Sequence, residues 1–144
     1  MKVKPFYNAL EHQRITEAIR AAELKTSGEI RVFIAKRPSD DPVRAAQAEF
    51  LKLKMDATRE HNAVLIYVAP KSQTFAIIGD KGVHEKCGQS FWIQVAQAMQ
   101  SHFTAGRHTD GIIHGIQEAG ALLGQHFPRQ ADDKNELSDE VVEG

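Results

Sequence analysis

Seven consecutive residues, Ala63-Val64-Leu65-Ile66-Tyr67-Val68-Ala69, carry no charge and no alternation with polar side chains. A run of that length, rich in β-branched and aromatic groups, predicts a strand buried on both faces. Pro70 ends it, Lys71-Ser72-Gln73 turn the chain, and Thr74-Phe75-Ala76-Ile77-Ile78 returns as the second arm of an antiparallel hairpin. Gly79-Asp80-Lys81-Gly82 then forms a polar corner that opens a helix at Val83-His84-Glu85-Lys86.

The elements before the hairpin set how it is built into a sheet. Asn8 and Glu11 have the spacing of a capping box, and Leu10, Ile15, Ala18, Ile19 and Ala22 make one apolar helical stripe that ends at Lys25-Thr26-Ser27-Gly28. Ile30, Val32 and Ile34 alternate with Glu29, Arg31 and Phe33, the period of a strand with one better-buried face. Asp41 followed by Pro42 reads as an N-cap with proline at the first helical position. The helix is expected to reach Thr58, burying Ala46, Phe50, Leu53 and Ala57. Strand, helix and strand in that order make a βαβ unit with parallel pairing. The sheet is therefore mixed, and Lys2-Val3-Lys4 is a candidate for a very short edge strand.

A third helix is expected over Val83 to Phe103, with Val83, Phe91, Val95, Ala98, Met99 and Phe103 on one face. Asp110 reads as the cap of a fourth, which carries Ile112, Ile113, Ile116, Ala119, Leu122, Leu123 and Phe127. Gly111, Gly115, Gly120 and Gly124 lie within it. Each glycine costs ~1 kcal/mol relative to alanine, so their spacing predicts a helix pressed against its neighbours. A membrane dimerisation motif is disfavoured by His114, Gln117 and Glu118 on the same segment.

The chain has 144 residues and a formal net charge of −1. That length suits one domain, and so small a charge gives no general reason to expect nucleic acid or an anionic membrane as partner. The charge is uneven. Residues 129–144 carry six acids against Arg129 and Lys134, and so acidic a stretch, poor in large apolar groups, predicts a tail without fixed structure following a domain of residues 1–128. Leu137, Val141 and Val142 are the residues of that tail suited to binding a partner. Cys87 is the single cysteine, which rules out an internal disulfide framework. No window approaches the ~18 consecutive apolar residues of a membrane span, and no signal-peptide core is present, so the expectation is a cytoplasmic protein.

The corner is where chemistry is most readable. Gly79 and Gly82 ahead of a helix suggest an anion nest, but Asp80 between them would repel phosphate unless a cation intervened. Calcium or magnesium takes carboxylates and loop carbonyls, and Asp80, Glu85 and Asp110 are the candidate ligands, with Gly79, Asp80, Gly82 and His84 forming the loop corner. The competing reading makes Asp80 and Asp110 simple helix caps. His84-Glu85 is only the first half of a zinc-protease motif, since Gly88 stands where the second histidine belongs. Cys87 near the apolar face reads as structural.

With these elements in order, the chain resembles the TPM domain family, which includes a thylakoid-lumen protein, a photosystem II repair protein, a modulator of worm acetylcholine receptors and many bacterial members. The resemblance rests on Thr26-Ser27-Gly28-Glu29-Ile30, on Asn62 to Ala69, on Phe75-Ala76-Ile77-Ile78-Gly79-Asp80-Lys81-Gly82, and on Phe103-Thr104-Ala105-Gly106 with Asp110-Gly111-Ile112. It implies a single-domain α/β/α sandwich around a short mixed sheet flanked by about four helices, in agreement with the residue-level reading. It also implies a divided function. Some members are described as acid phosphatases, some bind calcium, and others assist membrane complexes without known catalysis. Many have an aspartate after the glycine corner, where this chain has Glu85, Lys86, Cys87 and Gly88, and many carry a transmembrane segment. The expectation is therefore a soluble, cytoplasmic bacterial branch, serving as a non-catalytic interaction or regulatory module for a membrane-protein assembly. The alternative is a metal-dependent phosphatase with a divalent cation, Ca or Mg, at the Asp80 corner. No nucleic acid and no membrane insertion are expected.

Overall fold

A computed structural model describes residues 9–129, Asp139 and residues 141–144. Asn8, Lys2-Val3-Lys4 and Leu137 lie outside the described residues, and with them the expected cap, the candidate edge strand and one tail contact.

The order is α1 (Ala9–Glu23), β1 (Glu29–Ile34), α2 (Pro42–Lys52), β2 (Ala63–Ala69), β3 (Thr74–Gly79), α3 (Lys81–Cys87), α4 (Gln89–Thr104), α5 (His108–His126) and β4 (Val142–Glu143). The sheet runs β3-β2-β1-β4. β1 and β2 are parallel from Glu29 opposite Ala63 to Ile34 opposite Val68, and β2 and β3 are antiparallel from Val64 opposite Gly79 to Ala69 opposite Thr74. This is the mixed α/β sheet expected from the βαβ unit and the hairpin.

Every residue of β2 is buried because each face of the sheet has its own core. Ile30, Val32 and Ile34 of β1 join Val64, Ile66 and Val68 of β2 beneath Ile15 and Ile19 of α1, Phe91 and Met99 of α4, and Ile112 and Ile116 of α5. On the other face Phe33, Leu65 and Tyr67 pack with Ala46 and Phe50 of α2. Phe33 stacks on Tyr67 with ring centroids 5.4 Å apart. The second face of β1 is thus covered too, and only Arg31 along that strand is half-exposed.

Three boundaries differ from expectation. α2 stops at Lys52 because Lys54 adopts a left-handed conformation (φ 56°), after which a single 3-10 turn over Met55–Ala57 buries Met55 instead of Ala57. The single helix expected over Val83 to Phe103 is two, since Gly88 at φ 73°, ψ −171° breaks it in a region almost closed to other residues. α5 begins at His108 without a side-chain cap, and Asp110 lies in its first turn, where Oδ1 accepts from Arg14 at 2.9 Å.

The glycines of α5 have the close contacts their cost suggested. A β-carbon on Gly115 would sit 2.5 Å from Met99 of α4, and one on Gly120 would sit 2.7 Å from Ala22 of α1. At the chain end the expected lack of structure is not found. Val142 and Glu143 pair in parallel with Phe33 and Ile34, and the Gly144 N–H donates to the Ile34 carbonyl at 3.1 Å. Val141 packs on the first core and Val142 on the second, apolar burial that holds the end of an acidic tail in place.

Candidate functional site

The corner after β3 is built by backbone hydrogen bonds to the start of β2. The Asp80 N–H donates to the Ala63 carbonyl at 3.0 Å, and the Gly82 N–H donates to that of His61 at 2.9 Å. Asp80 itself is extended, and its Oδ1 accepts from the Lys81 N–H at 2.8 Å, so it caps α3. Its other oxygen, Oδ2, lies 3.1 Å from His61 Nδ1. The Asp80 side chain is only 12% exposed, against 40% for His61. His61 holds a left-handed backbone (φ 52°), a conformation a non-glycine residue adopts only when its surroundings enforce it.

The two glycines serve close approach. A β-carbon on Gly82 would lie 2.5 Å from the His61 carbonyl oxygen and 2.6 Å from that of Glu60, and one on Gly79 would lie 2.3 Å from the Trp92 ring. His84 packs its ring on Trp92 at 4.8 Å between centroids. Beside this joint, Ser27 Oγ donates to Glu60 Oε2 at 2.5 Å, and Asn62 Nδ2 donates to Ser27 Oγ at 3.1 Å. Ser27, Glu60, His61, Asn62 and Asp80 therefore meet where β1 and β2 begin.

The candidate ligands do not converge. Glu85 is exposed on α3. Asp110 is paired with Arg14 in the first turn of α5, a helix whose first residue, His108, lines a cavity with Val68, Ala69 and Pro70 at the end of β2 away from Asp80. β2 has seven residues and so separates those ends by roughly 20 Å. Among the described residues no group of three or more His, Cys, Asp and Glu side chains is arranged to hold a metal ion. Calcium and magnesium require six or more oxygen ligands, supplied partly by water, and both Asp80 oxygens already have partners. The residues present do not fit a divalent cation held by Asp80, Glu85 and Asp110 together. Cys87 is half-buried, and burial pushes its thiol above the usual range, which disfavours the nucleophilic thiolate.

What can act chemically here is the His61–Asp80 pair. A carboxylate on Nδ1 fixes the imidazole ring and leaves Nε2 to accept or donate a proton. The sequence marks this histidine only as part of the polar break Arg59-Glu60-His61-Asn62. Its partner stands 19 residues away, joined by the return of β3 along β2.

The comparisons with known proteins agree with this architecture. Among curated proteins, none matches the chain. The solution structure of the BA42 protein from the psychrophilic bacterium Bizionia argentinensis is similar at 41% identity and a TM-score of 0.92, covering 99% of each chain. Two further solution structures share the fold. An N-terminal domain from P. gingivalis has 11% identity, covers 87% of this chain and 83% of its own, and gives a TM-score of 0.63. The N-terminal domain of the cg2496 protein from Corynebacterium glutamicum has 12% identity, covers 99% and 84%, and gives 0.65. Among the described residues no helix is long and apolar enough to cross a membrane. A family model labelled as a TPM phosphatase and described as the TPM domain matches residues 6–122, and the chain belongs to the TPM domain family.

Proposed function

We propose that this TPM domain is a non-catalytic interaction or regulatory module that serves a membrane-protein assembly from the cytoplasmic side. The observation that carries the non-catalytic part is the use made of Asp80. One of its oxygens caps α3 and the other holds His61, while the flanking glycines admit Trp92 and the carbonyls of Glu60 and His61. This polar corner thereby acts as a joint between β2, β3 and α3. The role at a membrane assembly rests on the precedent of the family. The test is chemical cross-linking of the tagged full chain in its own cells, followed by identification of the attached proteins. Recovery of one membrane-protein complex in stoichiometric yield supports the module, and recovery of no membrane protein contradicts it.

The alternative is a phosphatase at the same corner, favoured by the His61–Asp80 pair and by the label of the family model. In that reading His61, oriented by Asp80, moves the proton of the reaction through Nε2. Hydrolysis of a generic phosphate ester by the purified chain, lost in His61→Gln, would favour it over the interaction module. Equal background rates in both proteins would exclude it.

A further inference from the structure

The other end of β2 holds a feature that the corner does not explain. A cavity of about 470 Å³ lies between the end of β2 with its hairpin turn, which contributes Gln73, and the passage of α4 into α5, which contributes Gln100, Phe103, Thr104, Gly106 and His108. That volume lies in the ~300–1,000 Å³ range of small-molecule sites. The carboxyl ends of parallel strands are also where open α/β sheets bind ligands.

Its chemistry selects among ligands. None of the ten lining residues is Asp, Glu, Lys or Arg. The one titratable group among them, His108, is held below the usual histidine range by burial, which disfavours its charged form. Three charged residues adjoin the lining in sequence, Lys71, Arg107 and Asp110, and none of them lines the cavity. Asp110 accepts from Arg14 at 2.9 Å, and Arg107 Nε donates to His102 Nδ1 at 3.4 Å. The lining itself offers a phosphate or carboxylate no charged side chain.

Uncharged hydrogen-bonding groups are present instead. Gln73 is an exposed residue of the turn. Gln100 Nε2 donates to Thr104 Oγ1 at 3.2 Å, which leaves the Gln100 amide oxygen available as an acceptor. Phe103 supplies an aromatic wall, braced edge-on by Phe75 at 5.3 Å between centroids and flanked by the His108 ring at 5.5 Å. An aromatic wall with amides and hydroxyls around it suits a ring that has apolar C–H faces and a rim of hydroxyls.

We propose that this cavity binds an uncharged, hydroxyl-bearing ring of monosaccharide size against Phe103, with Gln73 and Gln100 as its hydrogen-bonding groups. The site is separate from the Asp80 corner and does not depend on the function assigned there. The test is titration of the full chain with glucose and with N-acetylglucosamine, followed by ¹H–¹⁵N NMR. At least one of the two sugars is expected to give saturable shifts at the Gln73 and Gln100 side-chain amides and at the Gly106 backbone amide, with those of Asp80 and Gly82 unmoved. Gln100→Ala and Gln73→Asn change exposed positions and should keep the fold. Each is expected to weaken binding about fivefold, as the loss of one hydrogen bond would. Absence of a saturable shift with both sugars at millimolar concentration overturns the proposal. So does unchanged affinity in both variants, or tighter binding of glucose 6-phosphate, which would show recognition of an anion.

Discussion

Asp80 Oδ2 lies 3.1 Å from His61 Nδ1, while Oδ1 of the same carboxylate accepts from the Lys81 N–H at 2.8 Å. One side chain thus starts α3 and holds His61, two residues before β2. Asp80→Ala loses both contacts and is expected to lower the urea-unfolding free energy by about 0.5–2 kcal/mol, the usual cost of a lost N-cap. Asp80→Asn keeps a capping oxygen and should stay close to the parent. Equal stability of the Ala and Asn variants would show that the cap contributes nothing.

Gly82 faces backbone on its open side. The His61 and Glu60 carbonyl oxygens would lie 2.5 and 2.6 Å from an added β-carbon, and neither can rotate away as a side chain would. Gly82→Ala is expected to destabilise the fold by about 1–3 kcal/mol through overpacking. The Gly82 N–H, which donates to the His61 carbonyl, should also exchange faster with solvent. A melting temperature equal to the parent's would contradict the close approach.

Glu23 is 4% exposed and accepts from the Ile30 N–H at 2.9 Å. Burial first, then a hydrogen bond with the Asp139 carboxyl, raises its own carboxyl from 4.5 to about 10, against the Ile30 N–H, which favours the charged form. The folded protein therefore holds a proton that the unfolded chain releases above pH 4.5. The stability this group contributes is complete below 4.5 and is lost as pH rises toward 10, with a slope of at most about 1.4 kcal/mol per pH unit. Glu23→Gln keeps an acceptor for Ile30 and has no proton to lose. Urea unfolding from pH 5 to 9 should show the variant gaining on the parent as pH rises. A constant difference between the two would place the proton elsewhere.

The C-terminal strand makes its own prediction. The Lys36 N–H donates to the Gly144 carbonyl at 2.6 Å, and Arg20 Nε lies 3.7 Å from Asp139 Oδ2, so the end of the tail is tied to the body at both sides of β4. A chain ending at residue 138 should expose the Lys36 amide to exchange while leaving those of β2 protected. Unchanged protection at Lys36 would mean that β4 does not cover this edge.

The hairpin and the βαβ unit were legible in the sequence because β2 is apolar throughout and because Pro70 and Asp41-Pro42 punctuate the chain. The glycines of α5 were legible as close contacts for a similar reason, since their cost in a helix demands compensation. Gly88 was readable as a residue but not as a break, because Val83, Phe91, Val95 and Met99 keep a near-helical spacing across it. β4 was hidden by composition. Two valines among acids look like a solvated tail until Phe33 and Ile34 present an edge with unpaired backbone groups. The His61–Asp80 pair was invisible because it joins residues 19 apart and depends on a left-handed conformation that no residue type at position 61 announces. Asp110 looked like a cap by its position before an apolar run, whereas α5 in fact begins two residues earlier.

The Asp80 corner is a joint whose carboxylate oxygens both have partners. Titrating the purified chain with calcium and with magnesium while following ¹H–¹⁵N shifts tests it most directly. The amides of Asp80, Lys81 and Gly82 and the His61 ring resonances are expected not to saturate at millimolar metal, and Asp80→Asn is expected to give the same curves. Saturable shifts at those positions, abolished in Asp80→Asn, would contradict it and would place a cation where the joint now stands.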